Sequence, residues 1–437
     1  MSATHRLYEI RCPVFGFIKL TDWEREIISQ PAFQRLRRIR QLAWTDYIYP
    51  GAMHTRFEHS LGVMHMATLL YDNIVERSES LLSRELGYAR QGLERNRVLV
   101  RLAALLHDVG HAPFSHASED LLPLRDDNGQ PYRHEQYSAA IVRQCFADVI
   151  RGHRLNTNCG FTAEDVAALL DGSSTSKSSL FWRDLIDGQI DADRMDYLLR
   201  DSLHTGVGYG RYDWQRLVAT VQAIPGTENS GPRVGVSEGG WHAVEGLILA
   251  RYFMFTQVYF HKTRVAFDHH LKHALAEMLP GGQFPPPTSS GIRAFLEWDD
   301  WRVLGLLREG EGGEHGRRLA ERDHFREVIH TTEMPTGEEL RALQQWKRAL
   351  GDLLAAEERA EKSWYKIGMP DVQVASEVKE GEVESLSRYS SFVAKMEPIG
   401  KVLLFVRPED FRKARQLLSQ ERGTVRSSMK DRRPVAG

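Results

Sequence analysis

Cysteine is scarce in this 437-residue chain: Cys12, Cys145 and Cys159 are its whole complement. They form no CxxC pair and offer no disulfide framework, a pattern expected of a protein kept in a reducing cytoplasm. An excess of charge of one sign is lacking too. Lys and Arg number 57 against 59 Asp and Glu, a formal net charge of −2, so no global field points to nucleic acid or a membrane surface. Long apolar runs are also missing: the most apolar stretch, 243–260, is interrupted by Glu245, Arg251 and Gln257 and reads as a core helix. The N-terminal MSATHRLYEIRCP lacks the apolar segment of a signal peptide. Together these absences predict a soluble, cytoplasmic protein with no membrane partner. Neither a G-x-x-x-x-G-K-[ST] loop nor a G-x-S-x-G elbow occurs, so the chain is not a P-loop NTPase.

What is present is helical periodicity. Apolar residues recur at helical spacing over 22–29, 31–43, 57–76, 97–107, 134–149, 162–170, 179–186, 193–203 and 213–223, and two more helices fill 241–278. Short extended structure is expected over 7–20 and a small hairpin around Val234–Val236. LPGGQFPPPTSSG (279–291) reads as a linker. Beyond it the pattern predicts helices near 290–308, 315–330 and 337–361, a strand VLLFV at 402–406 and a helix from Pro408. The expected organisation is an extended segment 1–19, a helical core 20–278, the linker, a smaller α+β region over 292–420, and a basic, disordered tail over 421–437.

The most informative stretch is RLAALLHDVGHAPFSH (101–116). Leu102 to Leu106 are too apolar to face water, so this helix is buried, and Gly110 and Pro113 are stop signals beyond it. It delivers His107 and Asp108 side by side at the end of a buried segment. Imidazole and carboxylate both ligate metals. Taken alone, the pair reads equally well as polar residues closing a helix whose dipole favours His. Other candidates lie far away in sequence: Arg56 and His59 in HTRFEHSLGVMHMA (54–67), and Asp191, Asp193, Asp196 and Asp201 around Arg194 and Tyr197 in GQIDADRMDYLLRD (188–201). By itself His59 reads as a hydrogen-bonded core histidine, and the acidic run as one exposed helix face.

In order, His59, His107-Asp108 and Asp193 resemble the H…HD…D signature of the HD-domain metal-dependent phosphohydrolases. The match is nearest to their deoxynucleoside-triphosphate triphosphohydrolase branch, which includes the mammalian sterile-alpha-motif-and-HD-domain enzyme. FQRLRRIRQL, FEHSLGV, LLHDVGHAPFSH, HEQ, DADRMDYLLRD and YFHK stand in the family order, and the resemblance runs from roughly Pro13 to Lys262 before weakening. It implies an HD-domain helical core spanning 20–278, a mainly α fold with the smaller C-terminal α+β region. It also implies a divalent metal ion (Mn, Fe, Ni, Zn or Mg) on His59, His107, Asp108 and Asp193, and hydrolysis of a dNTP to nucleoside and inorganic triphosphate.

The same resemblance assigns roles residue by residue. His111, His134 and Glu135 would form the acid/base group, with Glu119 as a supporting carboxylate where the mammalian enzyme has Asp. Arg56, Arg194 (Lys in that enzyme) and Tyr197 would hold polyphosphate. Gln41 and Leu42 would meet the sugar, Leu42 crowding a 2′-hydroxyl; read without the family, Leu42 completes the apolar face of helix 31–43. Asp201 and Arg251 fall at further sugar and polyphosphate positions. Gln34 and Arg37 fit an allosteric phosphate site between subunits, within an arginine run (Arg35, Arg37, Arg38, Arg40) that self-repels unless neutralised. A homo-oligomer, tetramer or dimer, with a nucleotide activator is expected. The family's DPIHGH turn appears as CPVFGF (12–17), and its guanine-reading Asp falls at Ser29, so a strict dGTP activator is not. Other readings stay open: an HD phosphohydrolase on a nucleoside monophosphate, a nuclease on single-stranded nucleic acid served by the basic tail, or a nucleotide-sensing module without catalysis.

Overall fold

A computed structural model describes residues 7–125, 129–174, 176–226, 231–362, 371–378 and 381–430. An antiparallel hairpin, Tyr8–Cys12 with Gly16–Leu20, opens the chain. Two long helices, Arg56–Leu86 and Arg90–Leu106, pack along one another, and Ala192–Thr205 crosses the first of them. Gly62 makes that crossing possible: a Cβ there would run into the Asp196 carboxylate and the Arg200 guanidinium. Leu102 to Leu106 are all 0% exposed, so the segment that presents His107 and Asp108 is fixed from every side. Behind it Arg101 binds Glu24 through Nε and Nη2 at 2.5 and 2.8 Å, both side chains buried. Among the described residues no helix is long and apolar enough to cross a membrane.

The C-terminal region mixes strands and helices. Arg326–His330, Ile399–Val406 and Leu354–Lys362 form an antiparallel sheet with Ile399–Val406 in the middle. A second sheet reaches back into the helical part: Arg233–Ser237 pairs with Val221–Ile224 on one side and, in parallel, with Gln373–Ala375 on the other. The 279–291 stretch is no loose tether. Leu279 and Phe284 are buried in the same core as the long helices, and the Phe284 N–H donates to Leu121 O at 3.0 Å.

Several expected helices break. The 31–43 helix is instead a turn at Pro31–Gln34, a 3-10 turn at Arg35–Arg38, an extended stretch, and a second 3-10 turn at Ala43–Tyr47. Pairing decides this: Arg40 bridges Thr55, and the Gln41 N–H donates to His54 O at 3.0 Å, so the chain turns at Gln41 and Leu42 and does not continue as a helix. Helix 213–223 ends at Thr220 because 221–224 joins a sheet. Asp299 caps a new helix, Asp300–Arg308, inside the expected 290–308. The expected 315–330 and 337–361 helices end at Ala320 and Leu350, each giving way to a strand. The last helix, Phe411–Lys430, enters the tail expected to be disordered, and 431–437 lie outside the described residues.

Candidate active site

Three helices deliver the four candidate metal ligands to one point. His59 comes from the second turn of Arg56–Leu86 and His107 closes Arg90–Leu106. Asp193 stands in the first turn of Ala192–Thr205, a helix started by Asp191, whose side chain accepts the Arg194 N–H at 2.7 Å. His59 Nε2 lies 3.0 Å from Asp193 Oδ1 and 3.5 Å from Asp108 Oδ2. His107 Nε2 lies 3.1 Å from Asp108 Oδ1 and 3.8 Å from Asp193 Oδ1. The two rings are oriented through their other nitrogens: His59 Nδ1 binds Asp196 Oδ2, and His107 Nδ1 binds the Ala104 carbonyl, both at 2.8 Å. Each buried Nε2 is left without a hydrogen-bond partner. Two buried imidazole nitrogens aimed at two carboxylates are a donor set that fits a divalent metal.

The electrostatics point the same way. Burial opposes charge on His59, yet Asp193, Asp196 and Asp108 outweigh it and push its pKa up to about 10. A field that draws a proton onto a buried imidazole also favours a metal cation. Burial works against an ionised Asp108 as well, but Arg56, His107 and His111 hold it well below the usual carboxylate range.

Beside the ligands lies a histidine stack. Gly110 allows it: a Cβ there would collide with the backbone of helix His134–Ile141, and its N–H donates to Ser138 Oγ at 2.9 Å. His111 and His134 stack with ring centroids 3.9 Å apart, and His134 Nδ1 meets Glu119 Oε1 at 2.7 Å. Their charges are pushed apart. Burial, Arg56 and His134 keep His111 well below its ordinary pKa. Burial opposes protonation of His134 too, but Glu135 and Glu119 prevail and raise it to about 9. Against burial, His116 and His134 hold Glu119 well below its ordinary pKa, and His134 and Arg133 lower Glu135.

Both groups face a cavity of about 540 Å³ that is also lined by Gln41, Leu42, Arg56, Arg194, Tyr197, Asp201 and Arg251. Several of these are already engaged. Arg56 Nη1 binds Asp108 Oδ2 at 2.5 Å and its Nε binds Ser115 Oγ at 2.6 Å. Arg194 Nη1 donates to the carbonyls of Gly188 and Gln189. Asp201 is taken at both oxygens, by His54 Nε2 at 2.7 Å and Tyr259 OH at 2.6 Å. Gln41 Oε1 is buried without a partner.

Gln34 and Arg37 are not among the residues lining this cavity. Gln34 Nε2 donates to Ile28 O, and Arg37 Nε to Gln34 Oε1. The surrounding arginines do not form the unneutralised patch expected of them. Arg38 pairs with Asp299 and Arg40 with Asp46, while Arg35, 1% exposed, donates to the carbonyls of Trp298, Val109 and His111. Two contributors carry no role in the sequence reading: Asp196, named there only among the acids of 188–201, and Lys362, not named at all. Asp196 orients His59 and is itself held by Arg200 Nε and Nη2, both at 2.8 Å; the signal was its spacing, three after Asp193 and four before Arg200 on one helix face. Lys362, from the C-terminal sheet, also lines the cavity, where burial with Arg251 and Arg194 lowers its pKa to about 8. No motif marks it.

The fold and site define an HD-domain protein. The HD domain matches residues 56–201 and the HD associated region residues 212–401, and the chain belongs to this family. It is 32% identical over 303 residues to the uncharacterized protein MJ1154 of Methanocaldococcus jannaschii, covering 69% of this chain and 55% of that one. It is 31% identical over 214 residues to a Dictyostelium discoideum homolog of the deoxynucleoside triphosphate triphosphohydrolase SAMHD1, covering 48% and 39%. The chain thus spans about half the length of the curated relatives it matches, or less. A crystal structure of a hypothetical protein from Aquifex aeolicus superposes with a TM-score of 0.74 at 28% identity, over 94% of this chain and 100% of that one.

Proposed function

We propose that this protein is a metal-dependent phosphohydrolase that converts a dNTP to a deoxynucleoside and inorganic triphosphate. The observation that carries the reading is the pair of partnerless, buried Nε2 atoms of His59 and His107, set against Asp108 and Asp193 on the floor of a cavity with cationic walls. A divalent metal held by these four residues polarises a phosphate and lowers the pKa of water. Beyond that, positioning and charge neutralisation are most of what phosphoryl-type chemistry asks of a protein. Arg56, Arg194, Arg251 and Lys362 supply positive charge for the polyphosphate. Gln41 and Leu42 meet the sugar, Leu42 leaving a 2′-hydroxyl no room and no partner.

Two stacked histidines with pKa values pushed apart divide acid and base work between them. His134 keeps its Nδ1–H on Glu119, which leaves the Nε2 proton available to the leaving 5′-oxygen. Neutral His111 is on hand to take the proton lost by the attacking water. Bond making at the α-phosphorus and breaking of its bond to O5′ then balance without further reactants. SAMHD1-type relatives, named as dNTP triphosphohydrolases, support this substrate class. The test is a panel of dNTPs, NTPs, dNMPs and single-stranded DNA with several divalent metals. Turnover of dNTPs ahead of the rest supports the reading; preference for monophosphates or DNA defeats it.

A further inference from the structure

A second group of imidazoles stands apart from the candidate ligands. Helix Lys262–Met278 carries His269, His270 and His273, and helix Gly313–Ala320 brings His315 against them. His269 and His273 are four residues apart and so share a helix face, with ring centroids 4.4 Å apart. His315 stacks on His273 at 4.5 Å. One nitrogen from each of His269, His273 and His315 lies within 4.8 Å of the others.

Hydrogen bonds fix where the protons are. Glu358 Oε1, an acceptor, sits 2.6 Å from His269 Nδ1, so that nitrogen carries the hydrogen. His273 Nδ1 donates to the His269 carbonyl at 2.8 Å. Both rings therefore present a lone pair at Nε2, with the opposite N–H held by a carboxylate or a carbonyl, as in histidines that bind metals. The Phe325 N–H donates to His270 Nε2 at 3.1 Å, which leaves the proton of His270 on Nδ1, facing His315 Nδ1 at 2.8 Å. Burial and the imidazoles around it push His315 down to about 4, keeping it neutral.

We propose that His269 and His273 chelate a transition-metal ion of the zinc class through their Nε2 atoms, with His315 closing the site as a third donor. His315 accepts at Nδ1, so its own Nε2 carries a hydrogen; to bind the ion through Nε2 it must take its hydrogen at Nδ1 while His270 takes its own at Nε2, giving up the bond from the Phe325 N–H, with no net release of a proton. His269 and His273 are accordingly the essential ligands and His315 the weaker one. An all-imidazole donor set suits Zn²⁺, Ni²⁺ or Cu²⁺ and not the oxygen-seeking Mg²⁺ or Ca²⁺. An ion here would tie two helices together. It would also stand on the wall of the main cavity, which His269 lines.

Zinc binding to the full chain, followed by equilibrium dialysis with elemental analysis, tests this. His273→Gln, at an exposed position, is expected to bind one equivalent fewer than wild type, while His107→Ala keeps that equivalent. His315→Ala is expected to bind it more weakly, and Glu358→Gln to weaken it by about 10–100-fold, as loss of an outer hydrogen-bond partner does. The same zinc stoichiometry and affinity in wild type and His273→Gln would overturn the proposal. So would an equivalent that disappears with His107→Ala.

Discussion

His107 and Asp108 carry the most at the scale of single residues. Replacing either with Ala should remove bound metal and turnover together, because one lost ligand takes both the ion and the geometry it imposes. Elemental analysis of the purified variants checks this, and full metal occupancy would refute the assignment. His134 makes a different prediction. Glu135 and Glu119 lift its pKa to about 9 against burial, so its proton is lost as pH rises through that value. Turnover should fall on the alkaline side near pH 9, and Glu119→Gln should move that limb to lower pH. The sign for stability agrees: a pKa raised above the ordinary 6.5 stabilises the fold fully below 6.5, and the contribution fades towards 9. His134→Ala should keep its metal and lose about 10²–10⁴ in rate, the usual worth of a general acid. Leu42→Ala should relax discrimination between dATP and ATP by about 1–3 kcal/mol in a competition assay, without reversing it. An unchanged ratio would make Leu42 core filler. At this scale the sequence was most readable where residue type narrows the chemistry, as with His59, His107, Asp108 and Asp193. It misled for Arg35. A letter denoting charge suggested a phosphate site, whereas the side chain is buried and caps backbone carbonyls of the HDVGH turn.

Among elements, the two loops that flank the cavity depend on one acid. Asp300 is 1% exposed, and its carboxylate accepts the Arg40 N–H at 2.8 Å and the Phe114 N–H at 2.7 Å. The first contact secures the bridge residue Arg40, directly before the turn that bears Gln41 and Leu42. The second secures Phe114 and Ser115, two successive non-glycine residues at φ +56° and +59°, a conformation that needs outside support. Asp300→Ala leaves one buried N–H, that of Phe114, and one part-buried N–H, that of Arg40, unpaired. It should destabilise the protein by about 2–6 kcal/mol, from about 1–3 per orphaned group, and lower turnover while metal remains bound. Denaturant midpoints together with metal content check this; an unchanged midpoint contradicts it. Asp300 also explains the limits of periodicity. The apolar spacing of 31–43 is helical, but a carboxylate some 260 residues later and the pairing with Thr55 win the backbone. Similarly, 354–362 looks helical by composition and becomes a strand because Ile399–Val406 supplies its partner. Local pattern cannot register a partner so distant in the chain.

For the whole molecule, the helical core read as one unit from its periodic segments, and the later part read as mixed. The joining of the two was not legible. Proline and glycine in 279–291 suggested separation, yet Phe284 sits in the common core, a parallel strand pair stitches 373–375 to 235–237, and Lys362 reaches the cavity. The candidate metal ligands, the histidine stack and the cationic side chains thus border one cavity. The proposed release of inorganic triphosphate is checked by identifying the products of dATP hydrolysis by phosphorus NMR and chromatography, with a divalent metal present and with His107→Ala as control. Deoxyadenosine and inorganic triphosphate are expected from the wild type and neither from the variant. Release of orthophosphate with dADP, of pyrophosphate with dAMP, or triphosphate formation undiminished in His107→Ala, would contradict this.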